Sequence, residues 1–311
     1  MINKTEADEQ EYLSKIIDKL EEACVAVDEN VARTSEELQE QKNYLYENKT
    51  GMDAAEKAAV KQTVNMQAIS GEAAVAYKER LQKLIKSPYF GRIDFRESGS
   101  EKASPVYIGI HSYFDEEENE NLIHDWRAPV SSMFYDFEPG QASFDSPSGK
   151  KEGEIERKRQ YRIQEGEMEM MLESDLYIRD EVLQKELSRS ADDKMKNIVA
   201  TIQRDQNAII RNETSPVLII QGVAGSGKTS IALHRIAFLL YRYKDTLSAR
   251  DIMIISPNKV FSDYISNVLP ELGEESIPEM EMEELAERVL GSKYKFEGFF
   301  EQVNRLLEKH E

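Results

Sequence analysis

Gly222-Val223-Ala224-Gly225-Ser226-Gly227-Lys228-Thr229 fills every fixed position of the phosphate-binding pattern G-x-x-x-x-G-K-[ST]. Glycines at these places let the backbone wrap an anion without Cβ clashes, so that successive N–H groups and the positive end of a following helix face phosphate oxygens. Lys228 is placed to reach the β- and γ-phosphates and Thr229 to hold Mg2+ through its hydroxyl, which makes these two the candidate catalytic residues. Ser230 follows in the same first helical turn and completes the nucleotide-binding set. Two elements must position this loop. Pro216-Val217-Leu218-Ile219-Ile220 has the composition of a short buried strand, and Ser230-Ile231-Ala232-Leu233 opens a helical pattern. Outside that strand-loop-helix context the same letters form a glycine-rich turn that binds nothing.

The 311 residues suggest about two domains with sizeable cores. Asp and Glu number 59 against 40 Lys and Arg, a formal net charge of -19, the wrong sign for a protein whose main surface tracks nucleic acid. A single cysteine, Cys24, excludes an intramolecular disulfide and a multi-cysteine metal site, and fits a reducing cytoplasm. His111, His124, His234 and His310 have no metal-ligand spacing. No apolar run approaches a membrane span and the first residues lack a signal-peptide core, so a soluble, unexported protein is expected.

Leu13, Ile17, Leu20, Cys24, Val27, Val31, Thr34, Leu38, Gln41 and Leu45 alternate steps of four and three, a heptad seam that predicts one long coiled-coil helix. Asn48-Lys49-Thr50-Gly51 breaks it, and Met52 to Lys86 resumes helix, with Val60, Val64, Ala74, Leu81 and Ile85 as seam residues. Two such helices with a short turn form an antiparallel hairpin, either a projecting arm or a pair laid along the body. From Pro88 the texture changes to period two. Tyr89 to Phe95, Val106 to Phe114, Leu122 to Val130, Met133 to Phe137 and Ile155 to Ile163 make a small β-rich module closed by Glu165-Gly166. Asp125-Trp126-Arg127-Ala128-Pro129 fits a packed strand end with a local ion pair. Met168 to Ile210 is expected to be mainly helical, with Met170, Met171 and Leu172 as core.

Beyond the loop come a helix, a strand Ile252-Met253-Ile254-Ile255 followed by Ser256-Pro257-Asn258-Lys259, and another helical pattern, the start of a parallel α/β sheet. This order resembles superfamily 1 helicases of the UvrD and Rep type. On that resemblance Gln206 takes the place of the adenine-reading glutamine and Asn258-Lys259 falls in motif Ia. Where DNA-tracking relatives carry an aromatic residue before this pair, the chain has Ser256-Pro257, so a stacking platform worth about 1–3 kcal/mol per base is missing and nucleic-acid binding is expected to be weak.

The succession of hairpin, Ser87-Pro88-Tyr89-Phe90-Gly91-Arg92-Ile93-Asp94-Phe95, Tyr107-Ile108-Gly109-Ile110, Asp125-Trp126-Arg127-Ala128-Pro129, Ile198-Val199-Ala200-Thr201-Ile202-Gln203 and the glycine loop resembles the HelD family. The resemblance implies an ATP-dependent, helicase-like factor, with GTP left open, that uses Mg2+ and binds the bacterial RNA polymerase core. It implies further that the hairpin, tipped by Glu47, Asp53 and Glu56, enters the secondary channel, that a second arm enters the main channel, and that stalled complexes are released and recycled.

The expected architecture is an antiparallel coiled-coil arm (1–88), a small β-rich module (89–166) and a helical segment carrying Gln206 (167–213). The first part of a RecA-like, P-loop parallel sheet (214–273) and the start of a helical inserted subdomain (274–311) follow. The strand after the loop ends in Ser256 rather than an Asp-Glu pair, and no second RecA-like domain is expected within these 311 residues. The chain is therefore expected to be an N-terminal portion that does not turn over ATP alone. Two other readings stand: a superfamily 1 DNA helicase or translocase, and a coiled-coil adaptor with a vestigial nucleotide site. No membrane partner and no oligomer are expected.

Overall fold

A computed structural model describes residues 5–48, 54–173, 204–257, 265, 269–270 and, with short breaks, 272–308. The chain divides into two compact units, Met1–Asn207 and Ala208–Glu311.

The first unit begins with helix α1, Glu6–Asn48, against helix α2, Ala54–Lys86. From Val25 to Tyr44 only Val27, Val31, Thr34, Leu38 and Gln41 of α1 are partly covered, the positions of the heptad seam. The base of the hairpin is different. Leu13, Ile16, Leu20, Leu81 and Leu84 are buried, the last four packing with Tyr113, Leu122 and Ile123. Leu13 joins a second cluster with Tyr89, Tyr107, Tyr161 and Ile163. Both alternatives for the hairpin are thus realised in part: its base is core, while its outer length rests on its own partner helix.

That core belongs to a seven-stranded sheet of β1 Gly91–Glu97, β2 Ser104–Gly109, β3 Tyr113–Asp115, β4 Glu120–Asp125, β5 Gly140–Ser146, β6 Gly149–Gln164 and β7 Glu167–Glu173. Its order is β3-β4-β2-β1-β6-β5, with β7 also on β6, and only β2 and β4 run parallel. Two sequence expectations fail here. Glu167–Glu173 is not helix but a strand antiparallel to β6. Glu165 and Gly166 both have positive φ, 47° and 80°, so they make a two-residue hairpin turn that pairs the strands and overrides the helix preference of Met and Glu. Met133 to Phe137 is not extended: Ser132–Asp136 forms the short helix α3, with Met133 and Phe134 fully buried. Residues 174–203, and with them the expected helical run and Ile198 to Gln203, lie outside the described residues, as do the turn 49–53 with Asp53 and the pair Asn258-Lys259.

In the second unit helix α4, Lys228–Arg242, buries Leu233 and Leu240 against Ala249, Ile265, Leu269 and Ile277. Strand β8, Ile254–Ser256, runs parallel to β9, Glu279–Glu281, and helices α5, Met282–Leu290, and α6, Phe299–Glu308, follow. The P-loop parallel sheet is not formed as expected. Residues 216–220 belong to no strand, with Val217 77% and Ile219 85% exposed. A strand exists only through a ladder partner, and among the described residues none flanks this run. The large sheet is mostly antiparallel and lies in the other unit.

Candidate functional site

The glycine loop is shaped by two left-handed glycines, Gly225 at φ 77° and Gly227 at φ 80°, a conformation that costs other residues roughly 1 kcal/mol or more. Gly227 is the residue before α4 and offers no side-chain cap. The first intrahelical bond is Ile231 N–H to Gly227 C=O at 2.9 Å, so the N–H groups of Lys228, Thr229 and Ser230 have no helical acceptor and carry the positive end of the helix. A Cβ on Gly222 would fall 2.6 Å from Ser226 Oγ, so the two ends of the loop approach closely there. Val223, Ala224 and Ser226 are exposed. Lys228 folds over the loop and donates from Nζ to the carbonyl oxygens of Gly222, 2.9 Å, and Val223, 2.7 Å. The site therefore combines a concave run of backbone donors, one ammonium and the half-covered Thr229, a donor set suited to a polyphosphate with its divalent cation.

The surroundings hold the helix more firmly than the loop. His234 is buried, its Nδ1 2.6 Å from the Ser230 carbonyl oxygen and 3.4 Å from Ser230 Oγ. Arg235 donates to the Ile209 carbonyl at 2.9 Å, Arg242 pairs with Glu213, and the Arg211 guanidinium lies over the Phe238 ring. These contacts fasten residues 209–213 to α4. Gln206 is half-buried on the helical residues 204–210, at the end of the first unit, whereas Gly222 to Ser230 form one continuous group in the second. Among the described residues no cluster of three or more His, Cys, Asp or Glu could hold a metal, and no helix is long and apolar enough to cross a membrane.

A second constellation, which motif reasoning missed, lies at the arm's base. Glu9, completely buried, accepts from Arg92 Nη1, from Arg159 Nη1 at 2.9 Å and from the Tyr107 hydroxyl at 3.0 Å. Arg92 also binds Asp94, 2.7 Å from Nε, and Arg159 binds Glu173 at 3.0 Å. Burial raises the Asp94 carboxyl pKa, against the pull of Arg92. Three carboxylates and two guanidiniums, with Tyr107, thus cross-link the first turns of α1 to β1, β2, β6 and β7. The sequence signal was present: Arg92 and Asp94 alternate with Ile93 and Phe95 on a strand, and Glu9 precedes Leu13 by four residues. Nothing in it said that charges separated by 83 residues or more meet.

Elsewhere in the first unit, Arg127 and Asp125 make the local ion pair the sequence suggested, bidentate at 2.8 and 2.7 Å, with Ser131 Oγ donating to the Asp125 carbonyl at 2.6 Å. His111 is buried nearby, its Nε2 has no hydrogen-bond partner among the described residues, and burial lowers its pKa to about 4.

A family model described as the N-terminal domain of the DNA helicase IV HelD matches residues 6–194. It spans the arm and the whole seven-stranded sheet, and it ends before the glycine loop. No curated protein matches the chain.

Proposed function

The chain belongs to the HelD family, and from that premise we propose that it is the N-terminal part of an ATP-dependent, helicase-like factor that engages bacterial RNA polymerase through its two-helix arm and helps release and recycle stalled complexes. Helicase-like proteins use ATP and Mg2+ in general. In this reading the N–H groups from Gly225 to Ser230 would cradle the phosphates, Lys228 would exchange the carbonyls of Gly222 and Val223 for the β- and γ-phosphates, and Thr229 would hold Mg2+ through its hydroxyl. The bound nucleotide supplies the energy of hydrolysis; the chain's own residues bind and orient its phosphates.

The observation that carries the reading is the division of the hairpin. Its base is bolted into the sheet by buried charges and Leu20, with Ala23, Cys24 and Val27 packed on the same cluster, while over roughly 30 Å of α1 beyond Val27 its partner among the described residues is α2. A rigidly rooted rod of that length transmits force to, or reads position in, another macromolecule.

The test is copurification with core RNA polymerase after nuclease treatment, comparing the 311-residue chain with a version in which residues 30–72 are replaced by a short glycine turn. This excision leaves Leu13, Ile16, Leu20, Leu81 and Leu84 in place, whereas deletion of the whole hairpin would remove core. Binding by the full arm and loss with the short one is expected; equal binding refutes the reading. The description of the matching family, a DNA helicase, favours a second reading as a DNA translocase, which requires nucleotide turnover stimulated by single-stranded DNA.

A further inference from the structure

Gly71 stands in the middle of α2. It is seven residues from Val64 and seven from Lys78, and all three are half-covered, so it occupies a seam position that a packing side chain would normally fill. The fold makes no demand for a glycine there. Its backbone is ordinary helix without a positive φ, and a Cβ added to it would meet no described atom within 4 Å. Glycine is nevertheless the least favourable residue in a helix interior after proline, because it surrenders the most backbone freedom.

The facing helix is weak at the same level. Lys78 Nζ bridges to Asp28 Oδ1 at 2.5 Å, which fixes the register of the two helices. Seven residues farther out, that register sets Ser70-Gly71 of α2 beside Thr34-Ser35 of α1, of which Thr34 is half-covered and Ser35 exposed. This layer therefore joins a glycine to a short hydroxyl side chain, whereas the base joins Leu20 to Leu81 and Leu84, all buried. Sharp bends in helices fall at Gly/Ser pairs. A gap in a packed layer removes the contacts that would oppose one.

We propose that Ser70-Gly71 and Thr34-Ser35 form a hinge across the hairpin, about which the outer arm, residues 35–48 and 54–70, swings while the base stays fixed in the sheet. A bend of about 20° moves the end of α1, roughly 20 Å farther out, by about 7 Å. The hinge belongs to the hairpin itself and holds whichever macromolecule the arm engages.

Double electron–electron resonance on the 311-residue chain tests it, with Cys24→Ala so that only introduced thiols carry spin labels. One pair, Glu47→Cys with Gln141→Cys, spans the hinge; a second, Glu22→Cys with Gln141→Cys, does not, and all of these positions are exposed. The spanning pair should give a distance distribution about twofold or more wider than the other. Gly71→Ala, whose methyl has room, should narrow it towards the width of the second pair, and Gly71→Ser should fall between. Circular dichroism should show equal or higher helicity in Gly71→Ala, which excludes unfolding as the source of a change. Equal widths for the two pairs in the chain with Gly71, or a spanning distribution that Gly71→Ala leaves unchanged, would overturn the hinge.

Discussion

Arg92 and Lys228 are both cations in polar surroundings, but they are held in opposite ways. Arg92 is 1% exposed and bound by Glu9, Asp94 and Tyr107, residues drawn from α1, β1 and β2. Lys228 is held by two carbonyls of its own loop, at a water-facing surface. A buried, cross-element charge can move only if the packing fails, because an unpaired guanidinium in the interior costs several kcal/mol. A charge resting on carbonyls in contact with water exchanges partners at little cost. The arm's root is consequently built for position and the glycine loop for exchange.

The largest test of this contrast is Glu9→Gln. It leaves Arg92 and Arg159 with one buried negative charge fewer, and denaturant unfolding of the first unit should lose about 3–5 kcal/mol. Next, Leu20→Ala at the root should lose about 2–5 kcal/mol, whereas Val31→Ala on the outer seam should lose less than about 1 kcal/mol. Equal losses would mean that the outer arm is as firmly packed as its base.

His111 gives a pH test. Its folded pKa, about 4, lies below the ordinary histidine value, so the unfolded chain binds more protons between about pH 6.5 and 4, and stability falls as pH drops through that window. The full loss is on the order of 3 kcal/mol, and His111→Leu should flatten that part of the urea-midpoint profile. Smallest in stability but largest in ligand terms is Lys228→Ala. It should move the unfolding midpoint by less than about 0.5 kcal/mol, yet weaken ATP binding roughly ten- to a hundredfold by calorimetry. Unchanged ATP binding would remove the functional half of the comparison.

Legibility followed the range of the interaction. The seam from Leu13 to Gln41 and the helix after Gly227 were readable because heptad spacing and a glycine loop are local signals. The strand Glu167–Glu173 was misread although Glu167-Met168-Glu169-Met170 alternates: the residue types favour helix, and only the ladder to β6 decides between them. The expected strand at Pro216 to Ile220 failed for the complementary reason. Its apolar composition is that of a buried strand, but composition cannot supply the neighbour that a strand needs.

By itself the sequence determined the long heptad helix, the αL glycines of the loop and the placement of Lys228 and Thr229 at a helix start, because each depends on residues within a few turns of one another. Tertiary structure alone decided that the hairpin is rooted rather than loosely attached, and that Glu9 meets Arg92 and Arg159 across 83 and 150 residues. It also decided which apolar run becomes a strand. Those outcomes depend on burial and on partners distant in the chain, and neither is written in local spacing.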